Sequence, residues 1–316
     1  MHPRARFCLV LLAAVVAWAA PGHGQTTLRS RLIGTWRLVG TEQVIEGAPP
    51  TPGAVTVGML AYTADGHMQA HLTSTDRPRA RMADAAPADL RALARYTAYF
   101  GTFTVDEAAR TVTHHRDGTF APGERDFVRS IDLAGSRLVL TTPATVVEGK
   151  KRFSRIIWER HEAAPAAPGF SAGARQAVAG TWALVEHKTL LPGGDVRRAF
   201  GPAPKGLFFF FPDGYTAVQI VNPERPDAAL DRASDDDIRA LGRTYLAYFG
   251  RFDVDPATHK IVVHTTADLN PGNTGVDQVR FFELDGDTLT LQPPPSVRPE
   301  GGQQVSRITW RRVTGG

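Results

Sequence analysis

The chain has 316 residues, 42% hydrophobic and 22% charged, with one Cys and a formal net charge of +4. This composition excludes a disulfide scaffold, a collagen-like repeat and a disordered low-complexity chain. At roughly 150 residues per domain the length implies two domains, each able to bury its own core.

Arg4 and Arg6 precede an apolar run from Phe7 to Ala20 that ends at Pro21-Gly22. This is the layout of a secretory signal peptide, with cleavage after Ala19 or Gly24. A retained anchor fits less well, because a bilayer span needs about 20 apolar residues. Residues 1–24 are therefore read as a signal, and export to the periplasm or exterior is expected. Cys8 leaves with it, so the mature chain has no thiol for catalysis, metal binding or disulfides. Loss of the two arginines lowers the net charge to +2, which removes any electrostatic case for nucleic acid, and no second apolar span follows.

After this segment one pattern is written twice. Gly34-Thr35-Trp36 returns as Gly180-Thr181-Trp182, Asp65-Gly66 as Asp213-Gly214, and Arg77-Pro78 as Arg225-Pro226. Tyr96-x-Ala98-Tyr99-Phe100-Gly101 returns as Tyr245-x-Ala247-Tyr248-Phe249-Gly250, and Trp158-x-Arg160 as Trp310-x-Arg312. The offset grows from 146 to 152, as small loop insertions in the second copy would produce. A period this long marks two duplicated domains, at 30–162 and 176–314, with an Ala/Pro-rich linker at 163–175.

In the first copy, strands are predicted near 36–45, 55–63, 67–73, 99–105, 111–117, 126–133, 137–142 and 152–160. Hairpin turns such as Ala64-Asp65-Gly66 join them, and eight antiparallel strands favour a closed up-and-down barrel without exposed edges. A helix interrupts each copy before the fourth strand. In the second copy Ser234 caps it, three aspartates fill its first turn, and Ile238, Leu241, Tyr245 and Phe249 recur at helical spacing. Leu90, Leu93 and Tyr96 repeat this in the first copy. The helix either lids the barrel mouth or packs outside.

Gly34-x-Trp36 with Trp158-x-Arg160, and the same pair in the second copy, resemble the lipocalin arrangement. In that fold an Arg of the last strand covers a Trp at the closed end, which implies Arg160 over Trp36 and Arg312 over Trp182. The series Gly58-Met59-Leu60-Ala61-Tyr62 to His67-Met68, Arg77-Pro78, Tyr99-Phe100-Gly101 and Thr111-Val112-Thr113-His114 resembles the bacterial and fungal lipocalin-like domain family over 34–160 and 180–312. The resemblance implies a mainly β chain of two tandem barrels of about eight strands, each with one short helix. It further implies either binding of hydrophobic compounds or cofactor-free cyclisation or hydration.

The second copy departs from the family pattern at Leu207-Phe208-Phe209-Phe210-Phe211. Alternation puts these rings on both faces of one strand, one lining the barrel and the other meeting the first copy.

The polar candidates are the doubled ones. His114 pairs with His264 if a residue is inserted in the turn Pro256–His259; otherwise His115 does. The family spacing from Asp106 favours His114. An interior His can act as a hydrogen-bond partner or general acid and base, with Tyr99 and Tyr248 as proton donors. The plain alternative is a satisfied strand histidine. Arg77 and Arg225 either clamp a carboxylate or enolate at the mouth or tie a loop to helix carbonyls. Tyr96 and Tyr245 are ligand contacts or core, and Tyr62, His115, Phe208 and Phe210 complete the candidate binding set. Arg129 and Arg280 read as ion-paired to Asp126 and Asp277. His67 and His71 lack a third metal ligand, and no phosphate loop, nucleophile elbow or His-Glu-x-x-His occurs, so neither a cofactor nor a metal is expected.

The leading expectation is an exported tandem barrel that binds a small, largely apolar molecule. Its rival is a cofactor-free isomerase, cyclase or hydratase acting on a polyketide- or terpenoid-like substrate. A third possibility is that one barrel has no cavity and serves only as a packing partner.

Overall fold

The computed structural model describes residues 26–225, 227–297 and 301–314; the segment predicted as a signal, 1–24, lies outside them. In the first copy the barrel strands are β1 (Gly34–Ile45), β2 (Val57–Tyr62), β3 (His67–Thr73), β4 (Tyr96–Asp106), β5 (Thr111–Thr119), β6 (Asp126–Ala134), β7 (Arg137–Thr141) and β8 (Lys150–Arg160). The second copy gives β9 (Gly180–Leu190), β10 (Lys205–Phe210), β11 (Tyr215–Val221), β12 (Tyr245–Asp255), β13 (Lys260–Asp268), β14 (Asp277–Asp285), β15 (Thr288–Gln292) and β16 (Gln303–Arg312). In each copy neighbours in sequence pair antiparallel, and the first strand pairs with the last. The result is two closed eight-stranded barrels.

A short element seals each base. Helix α1 (Leu28–Leu32) offers its Leu32 carbonyl to Trp36 Nε1 at 2.9 Å, and Arg160 stacks 4.2 Å from the indole while its Nη1 donates to the Ile33 carbonyl. The 3-10 turn Ala172–Ala177 does the same in the second copy: Trp182 Nε1 donates to Val178 O at 2.9 Å, and Arg312 lies 4.2 Å from the ring. The Gly-x-Trp motif now has a steric cause. Gly34 and Gly180 have φ of +123° and +139°, and a Cβ there would lie 2.6 and 2.7 Å from the covering guanidinium. Gly101 and Gly250 sit beside a β-bulge, where a Cβ would lie about 2 Å from the His115 and His264 carbonyls.

The linker is tied down. Arg175, buried, donates to the Ala164 and Phe252 carbonyls and forms a buried ion pair with Asp253 at 2.8 Å.

Helices α2 (Pro87–Leu93) and α3 (Asp235–Arg243) neither plug a mouth nor lie apart. The capping box of Ser234 and Asp237 opens α3 as the sequence implied, but the helix stops at Arg243, and Tyr245 and Phe249 belong to β12. Tyr96 likewise starts β4. The helical spacing ran across a helix-to-strand junction whose apolar side faces one seam. Leu90, Leu93, Ile238 and Leu241 pack there with Met59, Phe100, Phe209 and Phe249 in a single core between the barrels. Phe208 and Phe210 point the other way, into the second barrel.

The seam has pseudo-twofold symmetry. Arg77 donates to the Asp268 and Leu269 carbonyls, and its counterpart Arg225 to Thr119 O. Arg91 donates to Ala233 O, and Arg239 to Ala85 O. Thr35 bonds Asp213 at 2.9 Å, mirrored by Thr181 on Asp65. Replacing Arg77 with Met leaves three buried carbonyls without their donor and is expected to lower unfolding free energy by roughly 3–5 kcal/mol. Arg95→Met, which breaks only an exposed pair with Asp76, should leave the urea midpoint unchanged.

Candidate functional site

Strand alternation sends one face of each strand into its barrel. In the first barrel this face carries Tyr62 on β2, Tyr99 on β4 and His114 on β5. Tyr62 Oη lies 2.6 Å from His114 Nε2, and Tyr99 Oη 3.0 Å from Nδ1. All three are buried. Burial first, then the charge of Arg129, hold the His114 imidazolium down to about 3, so the ring is neutral. Burial raises both phenols above their ordinary value. A neutral imidazole has one N–H and one lone pair. One tyrosine therefore donates to the ring and the other accepts from it, which leaves the accepting tyrosine with a hydroxyl hydrogen to spare.

Above this chain the inward face continues through Phe127 and Arg129 on β6 and Arg116 on β5. Phe127 meets Tyr99 edge-on at 5.4 Å, and the guanidinium carbons of Arg116 and Arg129 lie 4.1 and 4.8 Å from its centre. A cavity of about 430 Å³ opens at the mouth, bounded by Val55, Leu72, Ala94, Thr97 and Ala121, with Leu230 and Asp231 of the second copy on its rim. Leu72 and Thr97 face each other one inward step above Ala70 and Tyr99.

The second barrel replaces this chemistry with hydrocarbon. Phe210 stands where Tyr62 does, and Val263 where His114 does; only Tyr248 is kept. Phe208 and Phe210 stack at 4.2 Å, with Phe252 5.0 Å from Phe210 and Trp310 5.4 Å from Phe208. Phe200 joins this core and meets His187 at 4.9 Å.

The pairing of His114 with His264 is corrected. The hairpins Asp106–Thr111 and Asp255–Lys260 have equal length, so no residue is inserted there, and His264 corresponds to His115. Both sit on the outer face: His264 between Asp277 at 2.8 Å and Asp253 at 3.2 Å, and His115 by Asp126 at 3.2 Å. They take the acids assigned to Arg280 and Arg129. Residues three apart on a strand face opposite ways, so Asp126 cannot meet Arg129.

The same rule separates Tyr96 from Tyr99. Tyr96 points into the seam, where it meets His71 Nδ1 at 3.1 Å, and Tyr245 bonds Gln219 and Ala98 O. Arg77 also binds Leu93 O at the end of α2, the loop-tying role, and Arg225 stacks on Tyr245. Neither is at the first barrel's inner chain. Phe127, Arg116 and the inward direction of Arg129 were missed by sequence reasoning, although His114, Arg116 and Phe127, Arg129 follow the two-residue period. Among the described residues no cluster of three or more His, Cys, Asp or Glu could hold a metal ion.

The lipocalin-like domain family matches residues 33–161 and 179–313. Over 106 residues, 31% of this chain and 96% of the relative, the sequence is 26% identical to the 4'-hydroxy-3'-methoxypropiophenone carrier protein of Aspergillus oryzae. A solved protein of unknown function from Nostoc punctiforme aligns over 89% of this chain and 96% of its own, with 9% identity and a TM-score of 0.25.

Burial also holds His71 down to about 3. Between that value and about 6.5 the unfolded chain binds more protons at His71 and His114 than the folded one. Stability should fall as the pH is lowered through this window, by up to ~1.4 kcal/mol per pH unit per histidine. Asp268, raised to about 6 by burial, acts in the opposite sense between about 4 and 6 and offsets one of the two. Melting temperatures from pH 7 to 5 should therefore fall, and His114→Gln should flatten the slope.

Proposed function

Because the chain belongs to the lipocalin-like domain family, in two tandem copies, we propose that it binds a small, largely apolar molecule at the mouth of the first barrel. The cavity of about 430 Å³ carries this reading. Pockets for small ligands run to about 300–1,000 Å³, mostly apolar with a few placed polar groups. Leu72, Val55 and Ala94 supply apolar wall, and the Tyr62–His114–Tyr99 chain supplies polar groups deeper in the barrel. The carrier protein from Aspergillus oryzae is named for an aromatic ketone, a cargo of this general kind. We also propose that the chain is exported, on the sequence of its first 24 residues, and meets its ligand outside the cytoplasm.

The same chain of hydroxyls and imidazole is what a cofactor-free isomerase, cyclase or hydratase would use. An imidazole held down to about 3 is a weak base at neutral pH, which favours binding over proton abstraction.

Organic extraction of natively purified protein, followed by mass analysis, should recover one enriched small molecule. Thr97→Trp fills the mouth and should lower affinity for that molecule at least ten-fold with the circular dichroism spectrum unchanged. Equal recovery from both proteins would place the ligand elsewhere, and conversion of the molecule by wild type but not by His114→Ala would establish the enzyme instead.

A further inference from the structure

The first barrel holds donors that have no acceptor. The Nε of Arg116 is buried without a hydrogen-bond partner, and so is the Nε1 of Trp158, which its counterpart Trp310 in the second barrel shares. One phenol hydrogen of the Tyr62–His114–Tyr99 chain is spare by the proton count above. Arg129, half-buried on the inward face, makes its one hydrogen bond among the described residues to the carbonyl of Val128, next to it in the chain.

The carboxylates nearby are engaged or outside. Asp126 faces outward on His115, Glu148 lies at the rim 3.4 Å from Arg152, and Glu124 faces Arg116 from the exposed loop after β5. Phe127, held between the Arg116 and Arg129 guanidiniums and against Tyr99, joins the cationic groups to the phenols. The interior is thus rich in donors and positive charge, while the mouth cavity above it joins the apolar Val55, Leu72, Ala94 and Ala121 to the polar Thr73, Ser74, Arg91, Arg95 and Asp231. A half-buried cation without an acid is costly until an anion arrives.

We propose that the molecule bound in the first barrel is an apolar compound with one anionic oxygen group, a carboxylate or an enolate. Arg129 and the spare phenol hydrogen receive that group, and the hydrocarbon part extends past Thr97 into the mouth cavity. This rests on the binding role proposed above and adds the chemistry of the ligand's head. The second barrel marks the difference: Gln278 replaces Phe127, and Arg280 bonds its amide oxygen at 3.4 Å and the Val279 carbonyl at 2.7 Å, so that cation has its own acceptors.

The test is titration calorimetry of the full mature chain with decanoate and with decanol, which share a tail and differ in the head. Decanoate should bind at least ten-fold more tightly. Arg129→Met should bring the two within about two-fold of each other, one of Tyr62→Phe and Tyr99→Phe should weaken decanoate selectively, and Arg280→Met should leave the ratio as in wild type. Equal binding of acid and alcohol to wild type would overturn the anionic head and leave a binding protein. A ratio unchanged by Arg129→Met would overturn the role of that residue, and no binding of either compound would remove the binding role itself. Melting temperatures of the variants within a few degrees of wild type separate these outcomes from misfolding.

Discussion

The second strand of each copy, and the first half of the fourth, carry apolar side chains on both faces, and the pairing of the two barrels follows from covering the outer one. A barrel satisfies its backbone by closure and its inner face by packing, but it leaves the outer face to water. From Gly58 to Tyr62, and from Gly206 to Phe210, every residue is buried, inward and outward alike. The outer rings of Phe209 and Phe249 and the side chain of Met59 need a dry partner, and each copy supplies it to the other. Full burial of one such side chain stabilises by about 1.5–3 kcal/mol. A lone barrel with this surface would expose a large apolar patch.

Apolar cover alone would not set the register of the two barrels. The seam also contains Gln69, which donates to the Leu207 and Ala217 carbonyls, and Gln219, which donates to Ala70 and Tyr99 carbonyls and reaches His71 at 3.0 Å. Buried amides and guanidiniums are favourable only when nearly every donor is matched, and a shift of a few ångströms would strand them. Arg77 and Arg225 act at the two ends of the seam in the same way. The hydrocarbon makes the contact adhesive, and the polar groups make it specific.

The strands, the duplication and the sealing of each base were legible because they rest on local rules: period-two alternation, turn residues, and a Gly-x-Trp motif answered by Trp-x-Arg. The helix end was misplaced because Tyr245 and Phe249 satisfy a helical period while lying on a strand, and only the seam explains why both are apolar. The histidine alignment failed for a different reason. His114 and His115 are adjacent, so a one-residue choice moves the candidate from the inner face to the outer, and spacing from Asp106 did not decide it. The register of the hairpin does. Arg129 was legible in principle, since its distance from Asp126 already forbids the pairing assigned to it.

The seam also bears on why one barrel of the pair carries the polar chemistry. Tyr62, His114 and Arg116 face Phe210, Val263 and Thr265 at the matching positions, so the second barrel gives up internal donors for packed rings. That exchange packs its interior with aromatic rings. Its loop, pinned where Arg91 meets the Leu230 and Ala233 carbonyls, forms part of the rim of the first barrel's mouth. A cavity whose wall belongs to a neighbouring domain keeps its shape only if that domain is rigid and fixed in register. The Phe-rich strand meets both needs, with Phe208 and Phe210 filling the second barrel and Phe209 locking it to the first. The duplication thus divides two tasks between the barrels: a ring-packed core in the second, and in the first a polar interior beneath a mouth cavity.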